Sequence, residues 1–496
     1  MVPDERPAAA IVLAAGEGSR MRSATPKVLH PVVGRPLVEH AVRAAAGLDP
    51  LHLAVVVGHG REAVTAHLQA VAAALGRAIN APVQSERNGT GHAVSCALEV
   101  LPDDLTGTVL VSYGDVPLLD TATLMDLLEA HWRAYHAVTV LSAQVSDPTG
   151  YGRIVRDADG EVIGIVEHRD ATEPQRAITE INSGVYAFDT AVLHSALGQL
   201  GTENSQGERY LTDVLGLARA SGHPVSAHRC ADPWLVEGVN DRVQLAALEA
   251  EYNRRLLEHW MREGVTVIDP ASVRLDVDVQ LAPDVVLHPG VQLHAGTRVD
   301  PGAVIGPDTT LTACTVGAGA TVVRTHAMQA EIGERTSVGP FAFLRPGTVL
   351  ETGSKIGTFV EAKNATLGAD AKVPHLSYVG DATIGEGSNI GAATVFVNYD
   401  GVAKHHTTIG AHARTGADNM FVAPVTVGDG AYTAAGSVIT QDVPPGAIAV
   451  ARARQRNVEG WVARRRPGTP ASEAAARAAG QAQQNQQDDP QAQERA

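Results

Sequence analysis

The chain has 496 residues, 55 acidic against 39 basic side chains, and a formal net charge of −16. That length exceeds what one hydrophobic core ordinarily serves, so two or more domains are expected, and the acid excess excludes a general nucleic-acid binder while permitting a local Arg and Lys cluster for a phosphorylated small molecule. Aromatic residues make up only 4% and glycine fills 49 positions, a balance suited to repetitive β structure with tight turns.

Residues 1–7 are expected to be disordered, and they carry acids where a secretion signal would be positive. From 8 to 241, apolar runs at 9–15, 53–57 and 108–112 alternate with helix-like stretches. This rhythm predicts an α/β domain, Rossmann-like with a mostly parallel sheet. Over 242–263, Leu245, Leu248, Tyr252, Leu256 and Trp260 fall at helical spacing before Gly264, which predicts a linker helix.

After Gly264 the period becomes six: Leu275, Leu281, Leu287, Leu293, Val299, Ile305 and Leu311 are in phase. Ile332, Val338, Leu344, Leu350 and Ile356 form a second series, and Ile384 and Ile390 resume the spacing after another shift. No helix has this period. It describes a triangular parallel β-helix over 264–455, each side one short strand with its aliphatic residue pointing inward. The break over 394–408, holding Asn398, Tyr399 and Lys404, should leave the coil as a loop. The remainder, 456–496, ends in an Ala-, Gln- and acid-rich tail expected to be disordered or marginally helical. Cys96, Cys230 and Cys314 lack metal-ligand spacing and read as free thiols in a reducing compartment. No apolar run approaches the roughly 20 residues of a membrane span, so a cytoplasmic protein is expected.

The run Leu13, Ala14, Ala15, Gly16, Glu17, Gly18, Ser19, Arg20 follows the first apolar stretch directly. Such a turn lets backbone N–H groups approach a triphosphate, with Arg20 and Lys27 to neutralise it; a purely structural turn would use the same residues. Gln84 with the segment Asn88, Gly89, Thr90, Gly91 adds a second polar loop, and Tyr113, Gly114 and Asp115 follow a third apolar run. Asp115 stands where α/β sheets bind ligands and is the candidate ligand of Mg²⁺, with helix capping as its alternative role. Mg²⁺ between that carboxylate and an α-phosphate would offset charge during in-line attack.

Read together, LAAGEGSRM, PKVLHPVVGRPL, NGTGHA, YGDVPLL, GYGRI, IVEHRDA, EINSGVY and VEGVNDR stand in one order. In that order the chain, over roughly 8–461, resembles the bacterial bifunctional N-acetylglucosamine-1-phosphate uridyltransferase and glucosamine-1-phosphate N-acetyltransferase family. The resemblance implies a nucleotidyltransferase followed by a left-handed β-helix. It places Leu13, Ala14, Ala15, Gly16, Lys27, Gln84, Gly89, Thr90, Tyr113 and Gly114 around UTP and the sugar, and Gly152, Glu167 and Asn182 on N-acetylglucosamine 1-phosphate. Asp115 and Asn240 match the magnesium ligands, with Arg20 and Lys27 at the phosphates.

Acylating an amino sugar requires a base for the amine proton and donors for the developing oxyanion. His375 interrupts an otherwise aliphatic coil, although an exposed histidine would also fit there. Arg345 and Lys363 can bind a sugar phosphate, and Glu361 can contact the amine. The resemblance makes His375 the general base and sets Arg345, Lys363, Tyr378 and Asn389 on glucosamine 1-phosphate. It sets Ala392, Asn398, Tyr399, Ala417, Ala435 and Arg452 around acetyl-CoA, with Lys404 near its phosphates. It also implies a homotrimer with acetyltransferase sites at subunit contacts. The family usually has serine where this chain has Ala417, and glycine is common at Ala393. A uridyltransferase whose β-helix serves only trimerisation or regulation, and a binding protein without turnover, are the competing expectations. Intact His375 speaks against the first, and Lys27, Asp115 and Asn240 against the second.

Overall fold

The computed structural model describes residues 6–86 and 88–487. The N-terminal domain contains strands β1 (Ala9–Ala14), β2 (Pro31–Val32), β3 (Arg35–Pro36), β4 (His52–Val57), β5 (Thr108–Tyr113), β6 (Val138–Gln144), β7 (Gly152–Arg156), β8 (Val162–Val166), β9 (Glu180–Asp189) and β10 (Val225–Cys230). Its helices are α1 (Leu37–Ala46), α2 (Arg61–Leu75), α3 (Thr90–Leu98), α4 (Thr121–Arg133), α5 (Glu173–Arg176), α6 (Thr190–Leu197) and α7 (Asp213–Ala220).

The main sheet runs β10-β6-β9-β5-β1-β4, with β7 and β8 attached at β9. β4, β1 and β5 are parallel, as are β6 and β10. β9 is antiparallel to both β5 and β6, because the chain reaches it by folding back through β7 and β8 rather than by a helical crossover. Every residue of β1 is buried. Ala10, Val12 and Ala14 pack with α1 and α4, whereas Ala9, Ile11 and Leu13 face α3, α6 and α7. Cover on both faces explains why β1 reads as an unbroken apolar run.

Of the seven residues expected to be disordered, 1–5 lie outside the described set. Pro7 is buried and its carbonyl accepts from Leu51 N–H at 3.1 Å, while Arg6 pairs with Asp49 at 3.3 Å.

Helix α8 (Arg242–Arg262) begins at Asp241, whose carboxylate accepts from the Val243 and Gln244 N–H groups, each at 2.9 Å. Midway along it the buried Asn253 amide donates to the Val273 carbonyl and accepts from Leu275 N–H, both at 2.9 Å.

From Thr266 the chain coils as a β-helix of short parallel strands. Leu275 pairs with Leu293 and Leu293 with Leu311, so one coil takes eighteen residues, three hexapeptides. The in-phase aliphatics fill the prism, none more than 7% exposed from Leu275 to Leu311. Leu311 then pairs with Ala327, a shorter coil that accounts for the lost phase. Ile384 pairs with Ile409, a longer coil whose surplus residues leave as the loop containing Tyr399 and Lys404.

In the C-terminal segment the described residues take the helical form of the two expected, and 488–496 lie outside the described set. Helices form at Trp461–Arg465 and Pro470–Gln487, the second because alanine and glutamine, too small or polar to build a core, still favour helical backbone. No helix among the described residues is long and apolar enough to cross a membrane.

Candidate active sites

The carboxyl ends of β1, β4 and β5 meet, with Ala14 opposite Val57 and Leu13 opposite Tyr113. The loops leaving them converge on a cleft of about 390 Å³, lined by Leu13, Ala14, Ala15, Gly16, Lys27, Gln84, Gly89, Thr90, Tyr113, Asp115 and Asn240. Val28 and Ala93, inside the PKVLHPVVGRPL and NGTGHA motifs but not singled out there, also line it, together with Glu208, which lies outside every motif. Gly114 stands behind, its N–H donating to the Leu13 carbonyl at 2.9 Å. The first turn of α3 opens on the cleft at Thr90, which suits an anion. Gln84 Nε2 donates to the Gly89 carbonyl at 2.9 Å, which orients the amide.

Two cation-to-oxygen pairs involve the lining of this cleft. Lys27 Nζ pairs with the Asp115 carboxylate, and Arg20 Nη2 donates to Asn240 Oδ1 at 2.9 Å. Val239 N–H donates to the Asp115 carbonyl at 2.9 Å and so carries Asn240 beside Asp115. A carboxylate and an amide carbonyl are the hard donors a divalent cation takes when phosphate and water complete its shell. A triphosphate would also give Lys27 and Arg20 a stronger anionic partner than the groups they now hold.

Of the residues expected on the sugar, Gly152 and Asn182 stand on β7 and β9. Gly152 pairs with Asn182, whose Oδ1 accepts from Gly184 N–H at 2.8 Å. Gly184 has φ 81°, and the Tyr113 ring lies where its Cβ would be, 1.9 Å away. Burial, reinforced by the carboxylates of Glu167 and Asp115, pushes the Tyr113 phenol well above its ordinary range. Burial likewise pushes the Glu167 carboxyl up, with Asp213 and Asp170 acting the same way. Arg153, inside the GYGRI stretch but not singled out, is 1% exposed. It donates to the Tyr151 carbonyl and reaches His168 Nδ1 at 3.3 Å, bracing the strand that presents Gly152.

On the β-helix, two corners carry the expected residues. In one, Glu361 pairs with Tyr378 along the coil axis, and Arg345 Nη1 meets Glu361 Oε1 at 2.9 Å. Nearby, Asn364 Nδ2 donates to Asp381 at 2.7 Å, and Asn398 Nδ2 donates to Asp381 and lies 3.4 Å from the Tyr378 hydroxyl. Burial raises the Asp381 carboxyl, but the two amides and the charges of Lys363 and Lys404 outweigh it and hold it low. Lys404 is itself pushed down by its close contact with Lys363. Two ammonium groups close together with a carboxylate nearby suit an added anion. Tyr399, 56% exposed, caps the adjoining loop with its hydroxyl on the Gly401 carbonyl at 2.7 Å.

In the other corner His375 ends the strand Lys372–His375 and is exposed. Its carbonyl accepts from Ser377 Oγ at 2.7 Å and from Ala393 N–H at 3.2 Å. The ladder continues from Asp418 N–H to the Ala392 carbonyl at 2.7 Å and from Gly436 N–H to the Ala417 carbonyl at 2.9 Å. His375, Ala392, Ala417 and Ala435 thus follow one column. Asn389 bridges to Lys372 and Arg414, and Arg452 is exposed beyond the last coil. Glu361, expected at the amine, pairs with Arg345.

Residues 9–236 match the nucleotidyl transferase family model. The chain is 57% identical over 478 residues to the bifunctional protein GlmU of Corynebacterium efficiens, covering 96% of this chain and 98% of that one. It is 62% identical to the GlmU of Kineococcus radiotolerans, covering 95% of each. It is 60% identical to that of Streptomyces avermitilis, covering 95% and 97%. With both the cleft and the β-helix inside these alignments, the chain belongs to the bifunctional GlmU family.

Proposed function

We propose that the two sites act in consecutive steps of UDP-N-acetylglucosamine synthesis. On the β-helix the amine of glucosamine 1-phosphate attacks the thioester carbonyl of acetyl-CoA. His375 takes the amine proton, the C–S bond breaks, and the departing thiolate receives that proton to leave as thiol. In the N-terminal cleft a phosphate oxygen of N-acetylglucosamine 1-phosphate then attacks the α-phosphorus of UTP and pyrophosphate leaves. Arg20 and Lys27 bind and orient the phosphates, and Glu167 and Asn182 receive the sugar. Asp115 and Asn240 would hold Mg²⁺, which supplies charge neutralisation at the phosphates when bound. The product feeds peptidoglycan and other envelope polysaccharides.

The observation that carries this reading is the pairing of Lys27 with Asp115 within the cleft and of Arg20 with Asn240, which also lines it. The crowded Lys363 and Lys404 beside Asp381 support a phosphate site on the β-helix. A β-helix kept only for assembly or regulation is not favoured, because the relatedness spans both domains.

A homotrimer through the β-helix is part of the proposal. Phe341 and Phe359, 52% and 58% exposed, stack at 5.4 Å, and Leu376 beside His375 is 59% exposed. An apolar column next to a site residue supports a subunit contact there. A cytoplasmic location suits three unpaired thiols and both substrates.

Purified protein incubated with glucosamine 1-phosphate and acetyl-CoA should release free thiol. With N-acetylglucosamine 1-phosphate, UTP and Mg²⁺ it should release pyrophosphate. His375→Ala should lower only the first, by about 10²-fold or more. Thiol release at background level in the parent would sink the bifunctional reading, and light scattering that gives a monomer would sink the trimer.

A further inference from the structure

The turn joining β2 to β3 is gripped from outside its own domain. Val33 has φ 43°, a region that β-branched residues rarely enter. Its N–H donates to Glu249 Oε2 of α8 at 2.8 Å, and its carbonyl accepts from Val277 N–H of the first coil at 2.9 Å. Its side chain is 1% exposed, packed with Met21, Val239 and Leu248. At the next position, Gly34 (φ 81°), a Cβ would lie 2.3 Å from Asp276 Cγ. Asp276 is itself fixed by His294 Nδ1 at 3.1 Å and Ala295 N–H at 2.9 Å. Arg35 completes the grip by pairing with Asp278.

This turn lies six residues beyond Lys27. The short helical turn Lys27–Leu29 runs straight into β2, and Leu37 N–H closes the base of the hairpin on the His30 carbonyl at 3.0 Å. On the other flank Met21, the residue after Arg20, is buried in the same cluster, and its carbonyl accepts from Arg242 Nε at 3.1 Å. Both segments that present phosphate-binding cations therefore end against α8 or the first coil.

We propose that Glu249, with Val277 and Asp278 of the first coil, forms a positioning device for the nucleotidyl-transfer site: by pinning the Val33 turn it sets where Lys27 stands. A two-residue strand pair and a single helical turn have little stability alone. An unfavourable backbone conformation at Val33 persists only while its surroundings over-determine it. Without the Glu249 acceptor the buried Val33 N–H loses its partner, the turn relaxes and Lys27 moves with it. Glu249, Val277 and Asp278 do not line the cleft, so their effect passes through the hairpin. This inference rests on the assignment of Lys27 to the triphosphate.

The test compares the full-length parent with Glu249→Ala and Glu249→Gln, measuring thiol release and pyrophosphate release on the same preparations, with kcat and KM for UTP separated. Misplacement of a positioned group by about 1 Å can cost on the order of 10²-fold, so Glu249→Ala should lower kcat for pyrophosphate release at least about tenfold. Thiol release should stay within about twofold of the parent, as expected for independent sites. Glu249→Gln, whose amide oxygen still accepts from Val33 N–H, should recover most of the loss. Pyrophosphate kcat unchanged in Glu249→Ala, or no recovery in Glu249→Gln, overturns the proposal. Should Glu249→Ala lose both activities through misfolding, Asp278→Ala decides. Its carboxylate is 59% exposed, and pyrophosphate kcat should fall about threefold, on the order of 1 kcal/mol or less as for an exposed pair, with no change counting against the proposal. A parent that releases no pyrophosphate would remove the nucleotidyl-transfer reading, and this proposal with it.

Discussion

Lys27 and Asp115 form an ion pair across the nucleotide cleft, their side chains only 12% and 18% exposed. The two residues arrive from different strands, one from the loop after β1 and the other from the end of β5. In the proposed reading Lys27 exchanges this partner for a phosphate and Asp115 exchanges it for Mg²⁺. Asp115→Ala and Lys27→Ala should each lower pyrophosphate release by about 10²-fold or more, the scale of losing one charge-stabilising group. Thiol release should be unaffected. Chelation of divalent metal with EDTA should reproduce the same split between the two assays, and equal loss of both activities would contradict the assignment.

Ala417→Ser should speed acetyl transfer. Ala417 is exposed, and its backbone is fixed by Gly436 N–H on its carbonyl, so a hydroxyl can be added without disturbing the column from His375 to Ala435. Thr415 is poorly placed to replace that hydroxyl, because its Oγ1 already accepts from Gly391 N–H at 2.8 Å and the residue is buried. One transition-state donor is worth up to about 10²-fold, read as kcat for thiol release at unchanged melting temperature. An unchanged kcat would mean that the missing hydroxyl has no role in this chain.

Gly184→Ala should destabilise the N-terminal domain and weaken pyrophosphate release together. The Tyr113 ring fills the space of the new methyl group, and the backbone at φ 81° disfavours alanine. Overpacking and backbone strain of this kind cost about 1–3 kcal/mol each. Urea unfolding followed at the N-terminal transition measures the loss, and a variant as stable as the parent would refute the packing.

Glu39 provides a pH signature. His67 Nε2 lies 3.0 Å from its carboxylate and Arg43 Nε 2.8 Å. The His67 contact first, then Arg43, hold the carboxyl down to about 2 despite burial. A lowered folded-state value stabilises above the ordinary carboxylate range, and that contribution disappears as pH falls toward 2. Glu39→Gln should melt below the parent at pH 7, and the gap should close as pH drops from about 4.5 to about 2. A gap that is constant with pH would exclude the carboxylate as its source.

The six-residue period exposed the β-helix because each aliphatic position points into the prism, and Leu275, Leu293 and Leu311 do stack on one another. The ordered Gly-rich motifs likewise identified most of the cleft, since they lie at strand ends that the fold must bring together. What the sequence hid are contacts between distant segments. Nothing local to Val33 announces Glu249, 216 positions away, and Glu208 reaches the cleft from outside any recognisable motif. The antiparallel β9 was equally hidden, because a strand buried along all but its two end residues reads the same in either direction.

Asn253 gives α8 a second task beside joining the domains. Its amide satisfies Val273 C=O and Leu275 N–H, the groups that a solenoid's terminal coil otherwise offers to any passing strand. The helix is thus the end cap of the β-helix. A fragment cut after α8 would expose that raw edge and tend to stack on its own copies, so the C-terminal half is separable only when the cut falls before Arg242.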